Sequence, residues 1–174
     1  MKKNNVFIVL AISLVVIFRV LFDVINQIEV HYEEAQYWVW SQNLSLSYLS
    51  KGPFIASAIS ISNIFFGQTY LGLKLFSYLA LVGCIIFLSL ASEKLSKDRN
   101  IFTSGLLASA LSPAIFILGG VATTDIYLFF FWSITLYAYI SFHEDRDERW
   151  FYMIALSVGF GVLTKVSMVL LPLS

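Results

Sequence analysis

Two adjacent carboxylates, Glu33 and Glu34, the lysine of Ser50-Lys51-Gly52-Pro53 and the aspartate of Thr123-Thr124-Asp125 are the residues here best suited to chemistry. A carboxylate at a dry interface can take a proton as a base, or stay charged and activate an acceptor hydroxyl. An ammonium at the start of a short helix can hold a lipid phosphate as a point charge. Each residue also has a plainer reading. Glu33 and Glu34 fit the first turn of a helix, where the dipole favours acids. Lys51 fits a helix end from which its head reaches water. Asp125 fits the N-cap of a following helix. Lys165 could face lipid phosphate or snorkel, and spacing does not separate the two. Arg19 and Asp23, four residues apart, are read as a structural pair on one helix face. His31 has no second metal-ligand type near it and is read as a hydrogen-bonded interface histidine.

The elements that must position these groups are apolar. Of 174 residues, 59% are hydrophobic and 13% charged, against about a quarter charged in soluble domains. The apolar residues come in blocks: about 6–26, 70–91, 101–118, 126–142, 150–163, and the start of a sixth at Val166. A bilayer core of about 30 Å needs about 20 apolar residues. The first block, behind Lys2 and Lys3, exceeds a signal-peptide core and lacks a small-x-small site after it, so it is read as an uncleaved span. Lys2 and Lys3, the loop with Lys94, Lys97 and Arg99, and the loop with Arg146 and Arg149 fall on one side if spans alternate. The positive-inside rule makes that side, and the N-terminus, cytoplasmic. The segment 27–69 then lies outside, with Lys51 its one basic residue.

That outer segment is amphipathic. Glu33 to Trp40 reads as a helix start, with Tyr37, Trp40 and Leu44 on one face. Pro53 to Phe66 reads as a second short helix with a narrow polar stripe at Ser57, Ser60 and Asn63, closed by Gly67. The expected fold is therefore all-α: a polytopic transmembrane helix bundle, one domain over 1–174, with amphipathic interfacial helices in the first extracytoplasmic loop. Cys84, the single cysteine, is read as lipid-facing or packing filler. Zero net charge, no basic patch interleaved with aromatics, no Cys/His cluster and no Gly-rich loop leave no sign of nucleic-acid, zinc or nucleotide binding. The run from Val166 stops within two turns, too short to cross a bilayer, so the chain reads as the N-terminal part of a longer protein.

The run His31-Tyr32-Glu33-Glu34-Ala35-Gln36-Tyr37-Trp38-Val39-Trp40-Ser41-Gln42, followed by Tyr48-Leu49-Ser50-Lys51-Gly52-Pro53, resembles the first outer loop of GT-C glycosyltransferases. The likeness is to the dolichyl-phosphate-mannose–protein mannosyltransferase and aminoarabinose transferase kind. That family typically reads D-E-A-x-Y-W-x-W-S and then Y-x-S-K-P-P. Ile64-Phe65-Phe66-Gly67, Thr123-Thr124-Asp125 and Gly161-Val162-Leu163-Thr164-Lys165 are similar to its later signatures and come in the same order. The resemblance implies a truncated GT-C-like fold and a transferase that uses a polyprenyl-phosphate sugar donor and moves the sugar, with inversion, to an acceptor hydroxyl. It places the catalytic acid at Glu33, a partner acid at Glu34, the second-loop acid at Asp125 and lipid-phosphate contacts at Lys51 and Lys165. Glu33 stands where the family has Asp, and Gly52 where it has proline. Some relatives bind a metal through an acid just before the lysine; Ser50 stands there, so no metal and no other cofactor is expected.

Three functions follow as expectations. The first is a glycosyltransferase of the bacterial inner (plasma) membrane acting on an extracytoplasmic lipid, glycan or protein, with membrane lipids, the donor, and the missing C-terminal half or another membrane subunit as partners. The second is a non-catalytic remnant or accessory subunit that keeps lipid-phosphate binding. The third, a transporter fragment, fits least, because the spans lack paired charges in mid-membrane apart from Arg19 and Asp23.

Overall fold

The computed structural model describes residues 2–25, 29–48, 51–98 and 100–171, with side chains of the first helix from Ser13 onward, Val24 excepted. Ser50 and Arg99, both used above, lie outside the described residues. Among the described residues eight α-helices follow in order: α1 Lys2–Ile25, α2 Tyr32–Gln42, α3 Phe54–Phe66, α4 Tyr70–Ser96, α5 Asn100–Ala110, α6 Pro113–Gly119, α7 Thr124–Asp145 and α8 Glu148–Thr164. A 3-10 turn, Val166–Leu170, comes last. Among the described residues the protein has no strand, and the all-α expectation holds.

Cross-links between helices give the topology. Ser77 bonds Tyr127 at 3.1 Å, and Lys94 pairs with Asp145 at 2.7 Å, so α4 and α7 run parallel. Thr135 meets Ser157 at 2.8 Å and Lys165 meets Asp125 at 2.6 Å, so α8 returns antiparallel to α7. The basic loops at 94–97 and 146–149 therefore share one end of the bundle, and residues 70, 124 and 164 share the other. Small hydroxyls (Ser77, Ser89, Ser133, Thr135, Ser141 and Ser157) are buried between helices, while Leu79, Tyr139, Phe151 and Leu156 face outward. This inverted pattern suits helices packed in lipid, where apolar side chains gain nothing by turning inward. Helices α4 and α7 are each long and apolar enough to cross a membrane. The chain is a helical membrane protein.

The third apolar block is not one straight span. It bends by 60° between α5 and α6. Pro113 has no N–H to continue the ladder and biases Ser112 to the extended backbone it adopts, at φ −66° and ψ 118°. Helix α3 packs between α2 and α4 through Ile55, Ala56 and Ile59, while Ile61, Ile64 and Phe65 stay exposed. Gly67, at φ +66°, ends it in a conformation that suits glycine. Cys84 is fully buried, which makes it packing filler and not lipid-facing.

Candidate functional site

The two motif halves of the outer loop are zipped together by aromatics. Tyr48 stacks on Trp40 with ring centroids 4.4 Å apart, and its hydroxyl donates to the Trp40 carbonyl at 3.2 Å. The Tyr48 N–H donates to the Lys51 carbonyl at 3.2 Å, which ties the backbone of the lysine to Tyr48. Behind it, Phe54 packs edge-on against Tyr127 and Phe131 of α7. Gly52 lies so close to the Leu163 carbonyl that any Cβ there would collide with it. Glycine at this position thus serves a backbone contact with the end of α8, where its absence of a side chain matters more than its looseness. Leu44, expected on the Tyr37–Trp40 face, falls past the end of α2 and is exposed.

With its backbone tied in this way, the Lys51 ammonium donates to Thr124 Oγ1 at 3.3 Å, across 73 positions of sequence. Thr124 opens α7, and its neighbour Asp125 pairs with Lys165 at 2.6 Å. The N-cap of α7 is Thr123, so the reading of Asp125 as a cap is overturned: it sits in the first turn and faces Lys165 instead. Lys165 reaches it because α8 stops at Thr164 and the chain leaves extended, at φ −155°. Gly161 makes room for Met168, whose Cγ would lie 2.6 Å from a Cβ, and the fold-back of the 3-10 turn is seated there.

Helix α2 contributes from above. His31 is its N-cap, accepting from the Glu33 N–H at 3.4 Å, while Glu34 Oε2 accepts from the His31 N–H at 2.9 Å. This reciprocal capping box explains His31, read from sequence only as a hydrogen-bonded histidine. Glu33 and Tyr37 share a face at i, i+4. Burial pushes the Tyr37 phenol up to about 12, and the charges of Glu33 and then Asp125 add to it against a lowering influence of Thr124. Tyr37 therefore stays a protonated donor at physiological pH. Its hydroxyl is buried beside Thr124. The Glu33 carboxylate has neither cation nor donor among the described residues.

Glu34 points the other way. It is 1% exposed, accepts from the Ala122 N–H at 2.6 Å, and pairs with Lys74 at 3.4 Å. Lys74, fully buried in α4, donates to the Gly120 carbonyl at 2.7 Å. Lys74, Tyr37 and Thr124 are the site neighbours the sequence reading missed. A lysine four residues into an apolar span was the available signal for Lys74. Arg19 and Asp23 do pair, at 2.7 Å, and Tyr78 donates to Asp23 at 2.8 Å. The structure thus brings Lys51 onto Thr124 and Lys165 onto the adjoining Asp125, sets Tyr37 and Glu33 within electrostatic reach of that helix start, and turns Glu34 to Ala122 and Lys74. Among the described residues no three His, Cys, Asp or Glu are grouped to hold a metal.

Residues 50–174 match the family described as dolichyl-phosphate-mannose-protein mannosyltransferase, a match that takes in Lys51, Asp125 and Lys165. The chain is also 31% identical over 169 residues to lipid A galacturonosyltransferase RgtD of Rhizobium johnstonii, covering 94% of this chain and 34% of that protein. The chain thus spans about a third of the length of this curated relative. No solved structure matches it. With the family match covering most of the chain, and the motifs meeting at one end of a membrane helix bundle, this chain belongs to the dolichyl-phosphate-mannose–protein mannosyltransferase family of GT-C glycosyltransferase-like proteins.

Proposed function

We propose that this chain carries the sugar-transfer site of a glycosyltransferase that uses a polyprenyl-phosphate sugar and acts on the extracytoplasmic side of a bacterial inner membrane. The observation that supports it most is the Lys51–Thr124 contact beside the Asp125–Lys165 pair, which joins three sequence motifs at one end of the bundle. Glu33 and Lys51 complement each other: one carboxylate without a cation, one ammonium bonded only to a hydroxyl among the described residues. In the reaction, the acceptor O–H gives its proton to the Glu33 carboxylate as its oxygen attacks the anomeric carbon. The bond from that carbon to the phosphate oxygen breaks, and its electron pair leaves on the polyprenyl phosphate. Lys51 faces the charge that grows on the phosphate, and Lys165, oriented by Asp125, stands as a second cation. Attack from the face opposite the leaving group inverts the anomeric centre. Glu34 acts here as a positioning residue, since its oxygens are already occupied.

The relative's name supplies the first compounds to try: a polyprenyl phosphate carrying galacturonic acid, and lipid A as acceptor. In membranes containing the protein at the length its gene encodes, Glu33→Gln and Lys51→Ala should each abolish transfer while insertion is unchanged. Full turnover by both variants would overturn the assignments. A protein that bound polyprenyl phosphate yet transferred no sugar to any acceptor would instead be an accessory subunit.

A further inference from the structure

The segment Gly119 to Thr123 joins the bent third span to α7 and so sets where Thr124 and Asp125 stand. It belongs mostly to no helix, and the Thr123 hydroxyl, at the N-cap, makes no hydrogen bond. Something else must fix the start of α7. Two buried charges do so at neighbouring peptides: Lys74 Nζ donates to the Gly120 carbonyl at 2.7 Å, and Glu34 Oε1 accepts from the Ala122 N–H at 2.6 Å. The two charges meet at 3.4 Å, so each holds the other in place. The Tyr70 ring lies 4.6 Å from the Lys74 ammonium and covers it. Arg19, anchored by Asp23, packs so tightly on Gly120 that a Cβ there would clash with its guanidinium.

Neither Lys74 nor Glu34 is exposed, and the pair ties α2, which carries Glu33 and Tyr37, to the backbone that carries Thr124 and Asp125. A buried ion pair is a poor source of stability, since apolar residues of similar volume often serve as well or better. Placement of the surrounding peptide is the property such a swap would lose. The geometry points to Lys74 as a positioning residue: from inside the second span, with Glu34, it clamps the peptide between Gly120 and Ala122 and holds the acids of α2 and α7 in register around the phosphate site. This inference builds on the proposed lipid-phosphate site.

The test is the affinity of the protein, in lipid nanodiscs, for a polyprenyl monophosphate, measured with Lys51→Ala, Lys74→Met and the double variant Glu34→Leu/Lys74→Met. Removing both charges leaves no unpaired ion but takes a partner from the Gly120 carbonyl and the Ala122 N–H, so the double variant should melt below the unaltered protein but above Lys74→Met. The clamp predicts that it nevertheless binds about tenfold or more weakly, as a shift near 1 Å in a site can cost that much. A merely structural pair predicts that affinity returns along with stability, and that result overturns the proposal. If the double variant does not fold, Lys74→Gln, which loses both charge and reach, must show the same loss in its folded fraction, and unchanged affinity there overturns the proposal equally. Undiminished binding by Lys51→Ala would instead sink the phosphate site itself.

Discussion

Successive residues on an α-helix point about 100° apart, and Glu33 and Glu34 part company for that reason. Glu33 lies on the side of Tyr37, while Glu34 turns onto Ala122 and Lys74. Their substitutions should differ accordingly. Glu34→Ala leaves a buried lysine without its partner and should cost about 3–5 kcal/mol of stability. Lys165→Ala breaks a pair whose side chains are 36% and 42% exposed, and should cost at most about 1 kcal/mol. Denaturant melts of the two variants check this, and equal losses would contradict the burial described. The sequence made Glu33, Glu34, Lys51, Asp125 and Lys165 visible as types in order, but not which way each points. The capping box at His31-x-x-Glu34 carries a histidine where the usual signature has Ser or Thr, so the spacing did not announce that one Glu34 oxygen is occupied.

The elements were legible where long apolar runs dictate helices, and less so where single residues redirect the chain. Helices α4 and α7 fall where the runs predict, each extended past its apolar block by polar residues that cross-link at Lys94–Asp145 and Lys97–Glu144. The break at Ser112-Pro113 was signalled by the proline, yet hydropathy averaged it away. Gly52 depends on a neighbour 111 positions later, which no local pattern shows. Gly52→Ala should force the 51–53 turn off the end of α8, weakening polyprenyl monophosphate binding while leaving helix content unchanged. Circular dichroism with a binding titration reads both. Normal affinity in that variant would mean that the close approach at Leu163 does not place Lys51.

At the scale of the whole molecule, the account requires that the bundle end bearing Lys51 faces away from the cytoplasm, as the clustering of basic residues at the opposite end suggests. Cysteine labelling in intact cells tests this, since the native Cys84 is buried. Ser47→Cys should react with a membrane-impermeant maleimide from outside, and Ser96→Cys only after the membrane is opened. The reverse pattern would place the site on the wrong side for an extracytoplasmic acceptor. The convergence of motifs distant in sequence was expected from family resemblance, but its physical cause is the parallel run of α4 and α7 with α8 returning antiparallel along α7. That arrangement depends on hydroxyl contacts such as Ser77–Tyr127 and Thr135–Ser157, which have no periodic signature.

The most direct test is a titration of polyprenyl monophosphate into the protein in nanodiscs, comparing Lys51→Ala with Lys97→Ala, which removes the same charge from the opposite end. The account predicts that the first loses about tenfold or more in affinity and the second loses nothing. Equal affinities in the two variants would show that the lipid phosphate is not held at Lys51, and the proposed site would fall with it.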